Sequence, residues 1–123
     1  MRAESNRYDV ILAGGGIVGT ALALALRKAL HGALRVAVID PRRTASVEDD
    51  DLHLAVAPGM DTALFSGLLV HLADGLALDY RYLDAHTSGF TDALIRAREI
   101  APSLTATAAA TGVSEGDIAR FFE

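Results

Sequence analysis

Four residues between positions 14 and 40 have the types and spacing of a phosphate-and-ribose site: Gly14, Gly16, Gly19 and Asp40. The glycines spell G-x-G-x-x-G, and each has a physical use. Gly14 lets the chain turn off a strand, Gly16 lets a pyrophosphate approach the backbone, and Gly19 lets a helix lie close on the sheet. The first helical turn, through Ile17 and Val18, starts with N–H groups that lack intrahelical partners. It is also the positive end of the helix dipole, which stabilises an anion. Asp40 comes 21 positions after Gly19, near the spacing of about 20 at which a carboxylate accepts from ribose hydroxyls. Arg42 and Thr44 follow at the rim. FAD or another adenine dinucleotide is the ligand such a set fits. A half-site buries little of it, so micromolar or weaker affinity is expected.

Reactive chemistry has no comparable signature. There is no Gly-x-Ser-x-Gly elbow, no HExxH and no Walker lysine. Ser88 reads as a helix cap rather than a nucleophile, His53 as an outward-facing strand residue, and His71 as packing or solvent-facing. The acidic run Glu48–Asp51 reads as solvated surface, because four adjacent carboxylates repel and rarely converge on a metal. The chain contains no Cys, which excludes disulfides, thiolate zinc sites and cysteine-held iron–sulfur clusters. No catalytic and no metal-binding residue is assigned.

The positioning elements follow from periodicity. Tyr8–Ala13 and Leu34–Ile39 are near-continuous apolar runs, as parallel strands covered on both faces require. Between them Ile17–Leu30 reads as a helix. Ala21 and Ala25 offer it a flat face to the sheet, Arg27, Lys28 and His31 complement its C-terminal dipole, and Gly32 stops it. Leu52–Val56 alternates as a short third strand. Pro58-Gly59 turns the chain, and Asp61 caps a helix from Thr62 to about Ala73. Its apolar stripe is Leu64, Phe65, Leu68, Leu69 and Leu72, and Asp74-Gly75 ends it. Helical segments follow over Asp79–Ala85, Phe90–Ile100, Ser103–Thr111 and Ser114–Phe122, the last opened by a capping-box-like Ser114 and Asp117. The fold class is α/β: a small three-layer Rossmann-like domain with a short parallel sheet in the order 3-2-1 and C-terminal helices.

At 123 residues the chain suits a single domain over 1–123. With 51% hydrophobic and 22% charged residues it reads as globular rather than disordered. Met1–Arg7 is polar and no apolar run approaches the roughly 20 residues of a membrane span, so a cytoplasmic protein without signal peptide or membrane anchor is expected. No basic stripe interleaves with aromatics, which argues against nucleic acid. Charge is uneven: residues 1–46 carry seven Arg and Lys against three acids, and residues 47–123 carry four Arg against thirteen acids.

Two resemblances divide the chain near that charge switch. DVILAGGGIVGTALALALRKALHGALRVAVID, over 9–40, resembles the amino terminus of FAD-dependent aromatic hydroxylases, especially ubiquinone-biosynthesis monooxygenases. That resemblance implies Gly14, Gly16 and Gly19 around the ADP pyrophosphate of FAD, and Asp40 on the adenosine ribose. VIDPRRTAS, the stretch from Asp51 to Phe90, and IAPSLTATAAATGVSEGDIARFFE are similar to molybdopterin-guanine-dinucleotide oxidoreductases, most of all the large subunit of assimilatory nitrate reductase. There the D-P-R-x-T and P-G-T-D turns lie beside the guanosine end of the cofactor, which implies roles for Asp40, Arg42, Thr44, Gly59 and Asp61. Met60 departs from that pattern, standing where the family usually has Thr.

These resemblances make the expected protein a recombinant or engineered chimera of fragments 1–41 and 42–123. It is read as a non-enzymatic Rossmann-like domain with weak affinity for FAD or an ADP-type dinucleotide. The alternatives are a fragment of an FAD monooxygenase or nitrate-reductase-like molybdopterin oxidoreductase acting with missing parts, and a purely structural domain without ligand. Strand one becomes an outer strand in this order, so either a homodimer forms through it or the terminal helices fold back over it.

Overall fold

A computed structural model describes residues 8–123 apart from 15, 31–33, 46 and 50. The elements run β1 (Val10–Ala13), α1 (Ile17–Ala29), β2 (Val36–Ile39), β3 (Leu52–Leu54), α2 (Asp61–Asp74), α3 (Tyr80–His86), α4 (Phe90–Ile100), α5 (Leu104–Thr111) and α6 (Glu115–Phe122). The strands form one parallel sheet in the order β1-β2-β3, with Val10 beside Val36 and Ala37 beside Leu52. This is the expected α/β class and strand order. His31 and Gly32 lie outside the described residues. No helix among the described residues is long and apolar enough to cross a membrane.

Two cores flank the sheet because side chains alternate across a strand. On one face Leu12, Val36 and Val38 pack with Ala23 of α1 and with Val47. On the other, Ala37, Ile39, Leu52 and Leu54 meet Leu64 of α2 and Ile118, Phe121 and Phe122 of α6. Every residue of β2 is buried, as a central strand between two helical layers must be.

Several elements differ from the sequence reading, each for a packing reason. β1 begins at Val10 because Tyr8 packs against the second core, its hydroxyl donating to the Arg120 carbonyl at 3.2 Å. β2 starts at Val36, and β3 ends at Leu54. Ala21 and Ala25 are exposed, and α1 turns Ala23 to the sheet instead. On α2 the buried face is Ala63, Leu64, Gly67, Val70 and Ala73, while Phe65 is 42% exposed. Small residues take the contact because α5 lies so close: a Cβ on Gly67 would come within 2.2 Å of Thr107 Oγ1.

Helix ends show the same mixture. Ser103, Ser114 and Asp79 cap α5, α6 and α3 with their side chains, each accepting from the N–H three residues on. Asp61 is the first helical residue of α2 rather than its cap, which is Met60, and Gly89 rather than Ser88 caps α4. α2 stops in a Schellman arrangement, with Ala77 N–H on Leu72 O and Leu76 N–H on Ala73 O. The left-handed position in it falls on Leu76 (φ 57°), not on the adjacent Gly75. The terminal helices do not fold over β1: α6 packs against β3 and the second core.

Candidate functional site

All three strands are parallel, so the loops after β1, β2 and β3 emerge at one edge of the sheet, where ligands of open α/β sheets bind. Hydrogen bonds tie these loops together. Gly14 N–H donates to Ile39 O at 2.8 Å, and Asp40 N–H donates to Leu54 O at 3.2 Å. The ladder thus runs past the strand ends, and the three loops are held side by side.

The first loop turns at Gly14, whose φ of +99° is one a side chain rarely tolerates. A Cβ on Gly19 would fall 2.7 Å from Gly14 O, so this glycine sets the close approach of α1 to the strand. A Cβ on Gly16 would meet nothing within 4 Å. Its absence therefore serves no packing need inside the chain and leaves room at the start of α1, where Val18 is also exposed.

The second loop begins with Asp40, 7% exposed, whose Oδ1 accepts from Arg42 N–H at 2.8 Å. The Arg42 side chain is 80% exposed, its Nε 3.8 Å from the same oxygen. Thr44, half-buried, accepts from Val47 N–H at 3.1 Å. The structure thus sets Asp40 as a fixed carboxylate between two loops and leaves Arg42 reaching into solvent.

In the third loop Met60 N–H donates to Ala57 O at 3.0 Å, with Gly59 at φ +80°. Pro58 and Gly59 therefore occupy the two central positions that suit a type II turn. Ala57 N–H donates to Thr111 O at 2.8 Å, which anchors the turn on α5. Asp61 follows, exposed on the first turn of α2, where a carboxylate suits the dipole. It also lies at the mouth of a groove of about 530 Å³ between α2 and α4, floored by Phe65, Leu69, Ala97 and Ile100. That groove runs along the helices, away from the other site residues.

Two features of the site escaped the sequence reading. His53, taken as outward-facing, is half-buried with Nε2 2.9 Å from Asp40 O. Its only sequence signal is a position one strand over from Asp40. The second is a clamp on the loop that carries Arg42 and Thr44. Arg27, in the last turn of α1, has a side chain only 10% exposed and ion-pairs with Glu48 and with Asp51, itself 5% exposed. Asp51 also accepts from Glu48 N–H at 2.8 Å. The acidic run is therefore surface only in part: Asp51 is drawn inward because an arginine waits beneath it. Burial works to lower the Arg27 pKa, yet hydrogen bonds and charge from Glu48 and Asp51 outweigh it and leave the net shift upward. His71 packs its ring against Phe122, centroids 5.3 Å apart. Among the described residues no group of three or more His, Asp or Glu converges as a metal site.

No family model matches the chain. A nitrate reductase of Shewanella frigidimarina is 40% identical over 89 residues, covering 72% of this chain and 10% of that protein. An arsenite oxidase subunit of Herminiimonas arsenicoxydans is 38% identical over 84 residues, covering 63% and 10%. Among solved structures, acetylene hydratase from Pelobacter acetylenicus superposes with a TM-score of 0.74 at 26% identity, covering 92% of this chain and 16% of that one. The chain spans about a tenth of the length of the curated relatives it matches.

These findings correct three expectations. Nothing in them supports an FAD monooxygenase piece, and FAD loses its support as the cofactor. Nothing supports a chimera either: one solved chain follows 92% of this one, across the supposed join at residue 40. The G-x-G-x-x-G turn misled because unrelated Rossmann-like sheets share it. The expectation of a non-enzymatic module is overturned as well, since the relatives are named as enzymes. Over most of its length this chain is similar to enzymes of the molybdopterin oxidoreductase family.

Proposed function

We propose that this chain is the nucleotide-cradling segment of a nitrate-reductase-like molybdopterin oxidoreductase. In this reading the carboxyl edge of its sheet holds the guanosine end of a molybdopterin guanine dinucleotide. The observation that carries the reading is the set of three tied loops at one edge, with a buried carboxylate between them, in a chain similar to a reductase, an oxidase and a hydratase. Those names share no substrate, so the service common to such a segment is to the cofactor and not to one reaction.

The donor set fits a guanine nucleotide. Guanine presents adjacent N–H donors on its pairing edge where adenine does not, and a carboxylate accepts two parallel N–H bonds well. Asp61, exposed beside the Gly59 turn, takes that role. Asp40 accepts from ribose hydroxyls, while Arg42 and Thr44 at the rim and the open space beside Gly16 receive phosphate oxygens. The cofactor when bound supplies two-electron chemistry at molybdenum; the residues of this chain bind and orient its nucleotide end and keep the base in one register.

The test is thermal unfolding with GDP, ADP and FAD as separate probes. A ligand at a hundred times its dissociation constant adds about 2.7 kcal/mol, so GDP should raise the Tm, ADP should raise it less, and Asp61→Asn should remove the difference. Equal shifts with GDP and ADP, or none with either, would reject the assignment.

A further inference from the structure

The hydrogen-bond ladder between β2 and β3 changes hands at the site. In a parallel pair, the residue whose N–H donates to Leu54 O is expected to accept, through its own C=O, from Val56 N–H. Asp40 N–H makes the first of these bonds, at 3.2 Å. The second donor is diverted: Val56 N–H turns back to Leu54 O at 2.9 Å as the chain bends toward Pro58. The imidazole of His53 takes its place, with Nε2 2.9 Å from Asp40 O. A carbonyl can only accept, so Nε2 carries the proton. His53 is placed to reach this carbonyl because it pairs with Val38, two residues before Asp40, on the face opposite the core-filling Leu52 and Leu54. The peptide held in this way is Asp40–Pro41. Pro41 has no N–H and confines Asp40 to extended conformations, so the tilt of this peptide plane decides how the chain leaves the strand. Asp40 Oδ1 accepts from Arg42 N–H at 2.8 Å, an Asx turn whose ring contains the same peptide. Tilting that plane therefore moves the Asp40 carboxylate and the root of the Arg42 side chain together.

We infer that His53 is a positioning residue of the nucleotide site: its Nε2–H fixes the Asp40–Pro41 peptide and so aims the Asp40 carboxylate and Arg42 at the ribose and phosphates. This role rests on the nucleotide reading of the sheet edge given above, and His53 acts through Asp40 rather than on the ligand. A backbone donor could hold Asp40 O only if the chain ran straight on past Leu54 as a strand. It bends instead, which lets Pro58 and Gly59 form the turn that leads into Asp61. The imidazole thus keeps the second loop fixed while the third departs from the sheet.

The test compares the 123-residue chain with His53→Leu, which removes the donor, and with His53→Gln, whose side-chain amide donates from nearly the position of the ring Nε2. Amide exchange at Arg42 is measured without ligand, and affinity is measured for GDP and for ADP. His53→Leu should speed exchange at Arg42 and weaken both nucleotides by the same factor, about three- to tenfold, because ribose and phosphates are common to the two. His53→Gln should restore both readouts, which a side chain that merely fills space would not require. Unchanged exchange and affinity in His53→Leu, or a loss that His53→Gln does not relieve, would overturn the role. If neither nucleotide binds the parent chain, the nucleotide reading falls, and Arg42 exchange in the two variants alone decides whether His53 holds the turn.

Discussion

Replacing Arg27 with Met tests how the loop bearing Arg42 and Thr44 is held. Asp51 is 5% exposed and Glu48 61%, so the two carboxylates respond differently when the guanidinium is removed. Glu48 turns to water at little cost. Asp51 stays enclosed as an uncompensated charge, relieved among the described residues by the Glu48 N–H it accepts at 2.8 Å. Breaking a buried pair by removing one partner costs about 3–5 kcal/mol, whereas an exposed pair is worth about 0–1. With one backbone donor remaining, Arg27→Met should cost about 2–4 kcal/mol, a large share of a typical total of about 5–15. Among the described residues Arg27 Nε is also buried without a hydrogen-bond partner, so the clamp already carries a desolvation cost that Met would lift. The double variant Arg27→Met/Asp51→Asn removes both charges and should therefore recover to within about 1 kcal/mol of the parent. Urea unfolding with unchanged m-values is the assay. A loss below about 1 kcal/mol for the single variant, or strict additivity in the cycle, would refute the buried clamp.

Further outcomes follow from single contacts. Leu76 is 84% exposed at φ 57°, so Leu76→Gly relieves backbone strain while giving up little burial and should stabilise by about 0.5–1 kcal/mol, seen as a Tm rise of about 2–4 °C. Gly67→Ala drives a methyl into Thr107 and should destabilise by about 1–3 kcal/mol, most of it regained with Thr107→Ala in denaturant titration. Asp74 is held below its ordinary value of 3.8 chiefly by its hydrogen bond from Arg98. Its stabilising contribution is present above that value and disappears as pH falls through the depressed one. Arg98→Ala should accordingly lower the Tm slightly at neutral pH, leave it unchanged at pH below the depressed value, and so flatten the acid limb of the Tm–pH curve.

The sheet was legible because its signals are local. A glycine turn after an apolar run, an Ala/Leu helix and a second run closing on Asp40 specify a βαβ unit, and Ser103 and Ser114 announce the helices they cap. What stayed hidden depends on partners far away in sequence. Arg27 looked like a dipole-complementing surface cation, and only the return of the loop to Asp51, 24 residues on, makes it a clamp. Ala21 and Ala25 match Ala23 in kind, and the roll of the helix that favours Ala23 is set by the strand beneath. Thr107 and Thr111 are fully buried because their hydroxyls donate to Ser103 O and Thr107 O in their own helix, which makes two polar residues compatible with a core. Kinship was half legible: the D-P-R-x-T and Pro58–Asp61 turns pointed to molybdopterin enzymes, while the glycine turn pointed to flavin enzymes through a fold feature that carries no function of its own.

We propose that the carboxyl edge of this sheet cradles a guanine nucleotide. Its most direct measurement is amide chemical-shift mapping of the 123-residue chain titrated with GDP, with ADP in parallel. Saturating shifts with GDP that converge on Gly14–Gly16, Asp40–Thr44 and Gly59–Asp61, and weaker ones with ADP, are expected. Shifts confined to the groove between α2 and α4, or none at the three loops, would contradict it.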